Sequence, residues 1–141
     1  MDGWWAAVAT AVAWAVLVSL WSVLTRKVAN AMVVVGFVAA VMLAVYDQRP
    51  AWHALGLAAT LVPAVGLYAS KIVTGGTAKG FGALGAMLGV GAAPAMWVVL
   101  VTAIVLEKTR KRAPSSGTIY FACIVAAAVV HASGFLPRSL L

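Results

Sequence analysis

Twenty-one consecutive residues, Trp4 to Leu24, carry no charged side chain, and nothing else in the chain limits its folding options as severely. A segment of that length and apolarity partitions into lipid, where no water is present to hydrogen-bond the backbone. Each peptide group must then find its partner within the segment, which selects the helix over an open sheet. Comparable blocks of Ala, Val, Leu and Gly follow, without the alternating pattern of strands. With 65% hydrophobic and 9% charged residues, the whole of 1–141 reads as one all-α, polytopic integral membrane helix bundle.

The block boundaries set the expected spans. Span one, Trp4 to Leu24, ends at Thr25-Arg26-Lys27, not at a small-residue cleavage site, and so reads as a retained span and not a secretory signal. Span two covers about 31–46 and stops at Asp47-Gln48-Arg49-Pro50, because proline disfavours helix at the residue before it. Span three, about 52–73, contains Pro63, which removes one backbone donor and is expected to kink the helix. The glycine-dense run from Thr74 to Gly89 reads as a turn leading into an apolar helix. Between Ala78 and Leu106 the interruption Gly89-Val90-Gly91-Ala92-Ala93-Pro94 permits one bent span or two short ones, 78–90 and 94–106. The last span is about 117–136.

Charge chooses between five spans and six. In the six-span arrangement Arg26, Lys27, Lys71, Lys79, Lys108, Arg110, Lys111 and Arg112 share one side, which places eight of the ten basic residues in the cytoplasm. Five spans would put the cluster 108–112 outside, against the positive-inside bias. Six spans with both termini on the outer side is therefore the expected topology, and five the runner-up. The net charge of +7 is spent in short connections, which argues against nucleic acid as a partner. Lys108, Arg110, Lys111 and Arg112 are the expected contacts for anionic lipid headgroups.

Several side chains stand out. Trp4, Trp5, Trp21 and Trp52 fall where an amphipathic ring suits the membrane interface, whereas Trp14 and Trp97 lie deeper and should pack against neighbouring helices. Gly82, Gly85, Gly89 and Gly91 give span four a small face that lets another backbone approach, placing that span at the centre of the bundle. Cys123 is the only cysteine, which excludes an intrachain disulfide and leaves packing as its role. His131 is an intramembrane ionisable residue and the one candidate ligand for a haem or chlorophyll, although hydrogen bonding across helices is the ordinary role of a lone histidine there. His53, beside Trp52, is expected at an interface and solvated.

Two stretches taken together resemble the prepilin leader peptidase family, in particular its short tad-pilus type. Ser22-Val23-Leu24-Thr25-Arg26-Lys27-Val28-Ala29-Asn30 is similar to the family's first motif in its basic pair and its asparagine; Thr74-Gly75-Gly76-Thr77-Ala78-Lys79 is similar to the second in Gly76 and Lys79. Ala113-Pro114-Ser115-Ser116-Gly117 resembles the proline-containing approach to the family's sixth span. The resemblance implies a six-span core in a bacterial cytoplasmic (inner) membrane. It also implies that Ser22 and Thr77 stand where the family has its catalytic aspartates, with Asn30, Gly75, Gly76 and Lys79 lining the substrate pocket.

Hydrolysis of the family's kind needs two carboxylates that supply acid and base together, and neutral hydroxyls do not act as bases. Only three acids are present: Asp2 and Asp47 on the outer side and Glu107 on the inner. No catalytic residue is therefore assigned. The expected function is that of a non-catalytic, prepilin-peptidase-like subunit or assembly factor in a larger membrane complex, with lipids and other membrane proteins as partners. No resident metal or cofactor is expected. One alternative is a peptidase active through an unrecognised site, for which Ser22 with Lys27, Lys71 or Lys79 would be the dyad to consider. The other is a subunit that binds a pigment or lipid beneath Gly75 and Gly76.

Overall fold

The computed structural model describes residues 3–25, 30–110 and 116–133. Its helices are α1 (Gly3–Thr25), α2 (Asn30–Tyr46), α3 (Pro50–Ala69), α4 (Gly75–Leu88), α5 (Ala93–Arg110) and α6 (Ser116–Ser133), with a 3-10 turn at Val90–Ala92. No strand occurs among the described residues. Three helical segments, Gly3–Thr25, Pro50–Ala69 and Val90–Thr109, are long and apolar enough to cross a membrane, while Asn30–Tyr46 and Thr118–Ser133 are apolar but shorter.

The helices run alternately up and down. Residues from the start of α1, the end of α2, the start of α3 and the ends of α4 and α6 line one cavity, here the Asp47 end. Residues following α3, from the start of α4, late in α5 and early in α6 line another, the Thr77 end.

At the centre lies α4, with 11 of its 14 residues buried. Its sequence explains the position, because a helix built largely of Gly and Ala presents little side chain to hold neighbours away. The most extensive packing in the molecule is that of α3 on α4. A Cβ added at Gly56 of α3 would collide with the Gly85 carbonyl oxygen and lie 2.6 Å from the Gly89 carbonyl carbon; one added at Gly85 would run into Thr60 and lie 2.6 Å from the Gly56 carbonyl oxygen. The two backbones touch.

Local signals shift the expected boundaries of α4. It begins at Gly75 and not at Ala78, because Thr74 caps it: the Thr74 Oγ1 accepts the Thr77 N–H at 3.2 Å. Gly75 and Gly76, expected in a turn, form the first helical turn instead. The helix stops at Gly89, whose φ of +79° is a backbone conformation that glycine tolerates best.

Pro63 does not interrupt α3. The acceptor it strands is the Ala59 carbonyl, four residues earlier, and the Trp97 indole N–H of α5 donates to that oxygen at 2.9 Å. Trp14 makes an equivalent contact between α1 and α2, donating to the Met32 carbonyl at 2.7 Å. Both deep tryptophans thus bind backbone across helices. The Trp97 contact makes a prediction: Trp97→Phe should cost about 1 kcal/mol in the parent chain. It should cost close to nothing in a Pro63→Ala background, where residue 63 supplies its own N–H, and a double-mutant cycle of unfolding in mixed micelles reads the difference.

The outer surface is apolar, with Val23, Leu24, Val45, Val62, Val98 and Val129 all exposed. Hydroxyls on these helices turn back on their own backbone, as Thr10 does to Ala6, Ser19 to Ala15 and Thr102 to Val98. Such bonds hide polar groups from lipid.

Candidate functional site

At the Thr77 end the structure brings together some of the residues singled out by the family resemblance. Lys79 Nζ donates to Asn30 Oδ1 at 3.1 Å, linking the first turn of α4 to the start of α2. The Tyr120 hydroxyl donates to the Gly76 carbonyl at 2.8 Å, and Gly75 sits against the Tyr68 ring. Thr77 is buried, and its hydroxyl lies 2.9 Å from that of Thr74 within the cap of α4. Ser22 is half-buried near the end of α1.

Beside Thr77 is a cavity of about 330 Å³, bordered also by Tyr68, Lys71, Thr74 and Glu107. Lys71 closes α3 with a φ of +59°, its N–H donating to the Tyr68 carbonyl while that of Ile72 donates to Leu67. Lys71, Glu107 and Lys108 border an adjoining groove, and the last two are exposed. Of the cluster expected at lipid headgroups, Lys108 is placed at this end, Arg110 ends α5, and Lys111 and Arg112 lie outside the described residues, as do Asp2, Arg26 and Lys27.

The opposite end holds an arrangement that the sequence did not announce. Instead of being solvated, His53 is 5% exposed. Its Nε2 lies 2.8 Å from Asp47 Oδ2, and its Nδ1 lies 2.5 Å from the Ala86 carbonyl oxygen. A carbonyl only accepts, so Nδ1 carries a hydrogen and donates to Ala86. Nε2 faces the Asp47 carboxyl group, and the two side chains form one hydrogen-bonded pair. Ala86 is in the last turn of α4, where carbonyls lack helical donors. His53 therefore closes α4 while Asp47 ties the end of α2 to the start of α3. The turn between them helps: Gln48 takes a φ of +56°, and Asp47 Oδ1 accepts the Arg49 N–H at 3.2 Å. An acid just after span two and a histidine just after Pro50 were the available signal, since so short a connection must bring its flanks together.

With both ring nitrogens engaged, His53 has none left to act as a base. The described acids cannot form a catalytic pair either, because Asp47 and Glu107 lie at opposite ends of the bundle. Among the described residues no group of three or more His, Cys, Asp or Glu side chains could hold a metal ion. His131 stacks on Trp4 across the α1–α6 contact, with ring centroids 4.3 Å apart and its Nδ1 buried and unbonded. Cys123 is buried at the α5–α6 contact, facing the Met96 carbonyl at 3.9 Å.

Geometry thus engages Thr74, Thr77, Lys79, Asn30 and Tyr120 in capping and helix-to-helix contacts at the Thr77 end, and His53 with Asp47 in a latch at the other. No family model, curated protein or solved structure matches this chain.

Proposed function

We infer that this chain is a membrane-embedded helix bundle on the prepilin-peptidase plan that does not hydrolyse peptides and serves as a structural subunit or assembly factor of a larger membrane complex. The observation that carries the reading is the use made of the Thr77 hydroxyl. At the position where the family resemblance implies a catalytic acid, it is paired with Thr74 in the cap of α4. Lys79, from the same motif, is bonded to Asn30. The first contact closes the N-terminus of α4 and the second ties α4 to α2.

Six spans in a bacterial cytoplasmic membrane, with both termini outside, complete the proposal. Its support is the alternating helix direction and the shielding of the short α4, about 21 Å long at 1.5 Å per residue, by longer neighbours. Reporter fusions after residues 48, 72, 91 and 113 should alternate out, in, out, in. Any two successive fusions on the same side would refute the six-span arrangement.

Two measurements test the function. Purification in mild detergent at native abundance should bring down stoichiometric membrane proteins, and incubation with a prepilin leader peptide should leave it intact. A monodisperse monomer without partners contradicts the subunit role. Cleavage that persists in Ser22→Ala and Thr77→Ala variants would establish a peptidase working through another site. A lipid-binding subunit is the second reading, favoured by the cavity at the Asp47 end.

A further inference from the structure

A cavity of about 480 Å³ opens at the Asp47 end, and one side of it is formed by Trp4 of α1 and His131 of α6, whose rings stack within 18° of parallel. Among the described residues, Trp4 Nε1 and His131 Nδ1 are the side-chain polar atoms that are buried without a hydrogen bond. Such atoms are few in native structures, and a bound molecule is one of the ordinary reasons for them. Asp47, His53 and Arg49 also line the cavity, but each is engaged. Asp47 and His53 hold each other, His53 reaches the Ala86 carbonyl, and Arg49 lies 5.9 Å over the Trp52 ring. What this wall lacks is therefore hydrogen bonds on two flat rings, and not a counter-ion.

An indole N–H only donates, so Trp4 needs an acceptor; an imidazole Nδ1 donates or accepts according to where the ring carries its hydrogen. A hydroxyl answers both in either case, because its oxygen accepts from the indole and the group donates to Nδ1 or accepts from it. Water has the same chemistry, but the apolar lining from Ala7, Met87 and Leu88, with the Trp52 ring, gives surface for an organic group. We propose that this cavity binds an uncharged alcohol, held by the Trp4 N–H and by His131 Nδ1. Both nitrogens are covered as the rings stand, so binding includes a turn of the stacked pair towards the opening. Tyr46 lines the cavity and, like Val45, is exposed on the outer surface. The glycerol hydroxyl of a neutral lipid can thus enter with its acyl chains along α2, and a free polyol would meet the same two rings. The lipid source rests on the membrane reading above; the hydroxyl chemistry does not.

The test uses the full chain in mixed micelles, with dioleoylglycerol and the dioleate of propanediol, which lacks only the free hydroxyl, followed by native mass spectrometry. Dioleoylglycerol should be retained at one per chain, about tenfold more strongly than the propanediol ester. Trp4→Phe, which keeps an aromatic face and removes the donor, and His131→Phe should each weaken its retention about three- to tenfold. Neither should change retention of the propanediol ester, a pattern that loss of packing alone would not give. Helical circular dichroism checks that the variants fold, and the preference of the parent chain between the two lipids stands whether or not they do. Equal retention of the two lipids, as water alone in the cavity would give, or folded variants that bind like the parent, would overturn the proposal. Glycerol is then titrated with tryptophan fluorescence as readout. Displacement of the lipid by glycerol supports a free polyol, and resistance to it supports a headgroup. If the protein proves not to be embedded in membrane, the glycerol titration still reads the cavity, and absence of any Trp4-dependent response refutes the site itself.

Discussion

Gly56→Ala is expected to lift α3 off α4 and lower the unfolding free energy by about 3 kcal/mol, the upper part of the range for overpacked cores. One added methyl does this because of what it meets. The new Cβ would be driven into the Gly85 carbonyl oxygen and lie 2.8 Å from the Gly89 Cα, so backbone and not a flexible side chain would have to yield. Gly66→Ala supplies the control on the same helix, since a Cβ at Gly66 meets nothing within 4 Å. There the substitution should stabilise by about 0.5–1 kcal/mol, through helix propensity and a less flexible unfolded chain. Unfolding by sodium dodecyl sulfate titration in mixed micelles, followed by circular dichroism, reads both. Equal effects from the two substitutions would show that backbone contact between α3 and α4 does not govern stability.

His53→Leu is expected to cost about 2–3 kcal/mol, less than a fully buried pair would lose because Asp47 is partly exposed. The Asp47 side chain is 18% accessible, so some of its charge is still met by solvent after the imidazole is removed. The Ala86 carbonyl fares worse, being left at the end of α4 without a donor. Asp47→Asn should be milder, at about 1 kcal/mol, because the asparagine amide can donate to Nε2 of a neutral imidazole that still donates from Nδ1 to Ala86. Combining His53→Leu with Asp47→Asn should then cost less than the sum of the two, since no unpaired carboxylate remains. Strict additivity in the same micelle titration would mean that His53 and Asp47 act separately.

The glycines and the histidine differ in how far the sequence disclosed them. Spacing alone placed Gly82, Gly85 and Gly89 on one face of span four and marked that helix as central. Which helix would use the face was not legible, since Gly56 lies in a block whose hydrophobicity is nearly uniform around the helix. In such a span no amphipathic stripe points inward, and partner choice rests on small differences in side-chain volume. His53 was misplaced for a related reason. Its neighbour Trp52 suggested an interface, but the carbonyl that buries it belongs to Ala86, 33 residues away. Pro63 announced a stranded acceptor, yet nothing near it in sequence named Trp97 as the donor.

By itself, then, the sequence determined that the chain is helical and suited to a membrane, and it set most helix ends to within a few residues. Lipid gives the backbone no partner but itself, and caps such as Thr74 and Gly89 act within one turn of where they stand. Only the tertiary structure decided which helices touch, which carbonyls receive the tryptophans, and that His53 closes α4. Those outcomes depend on contacts between residues 18 to 49 positions apart, from Trp14 with Met32 to Lys79 with Asn30. Such contacts are fixed by how six similar cylinders share space, a property that no short stretch of the chain contains.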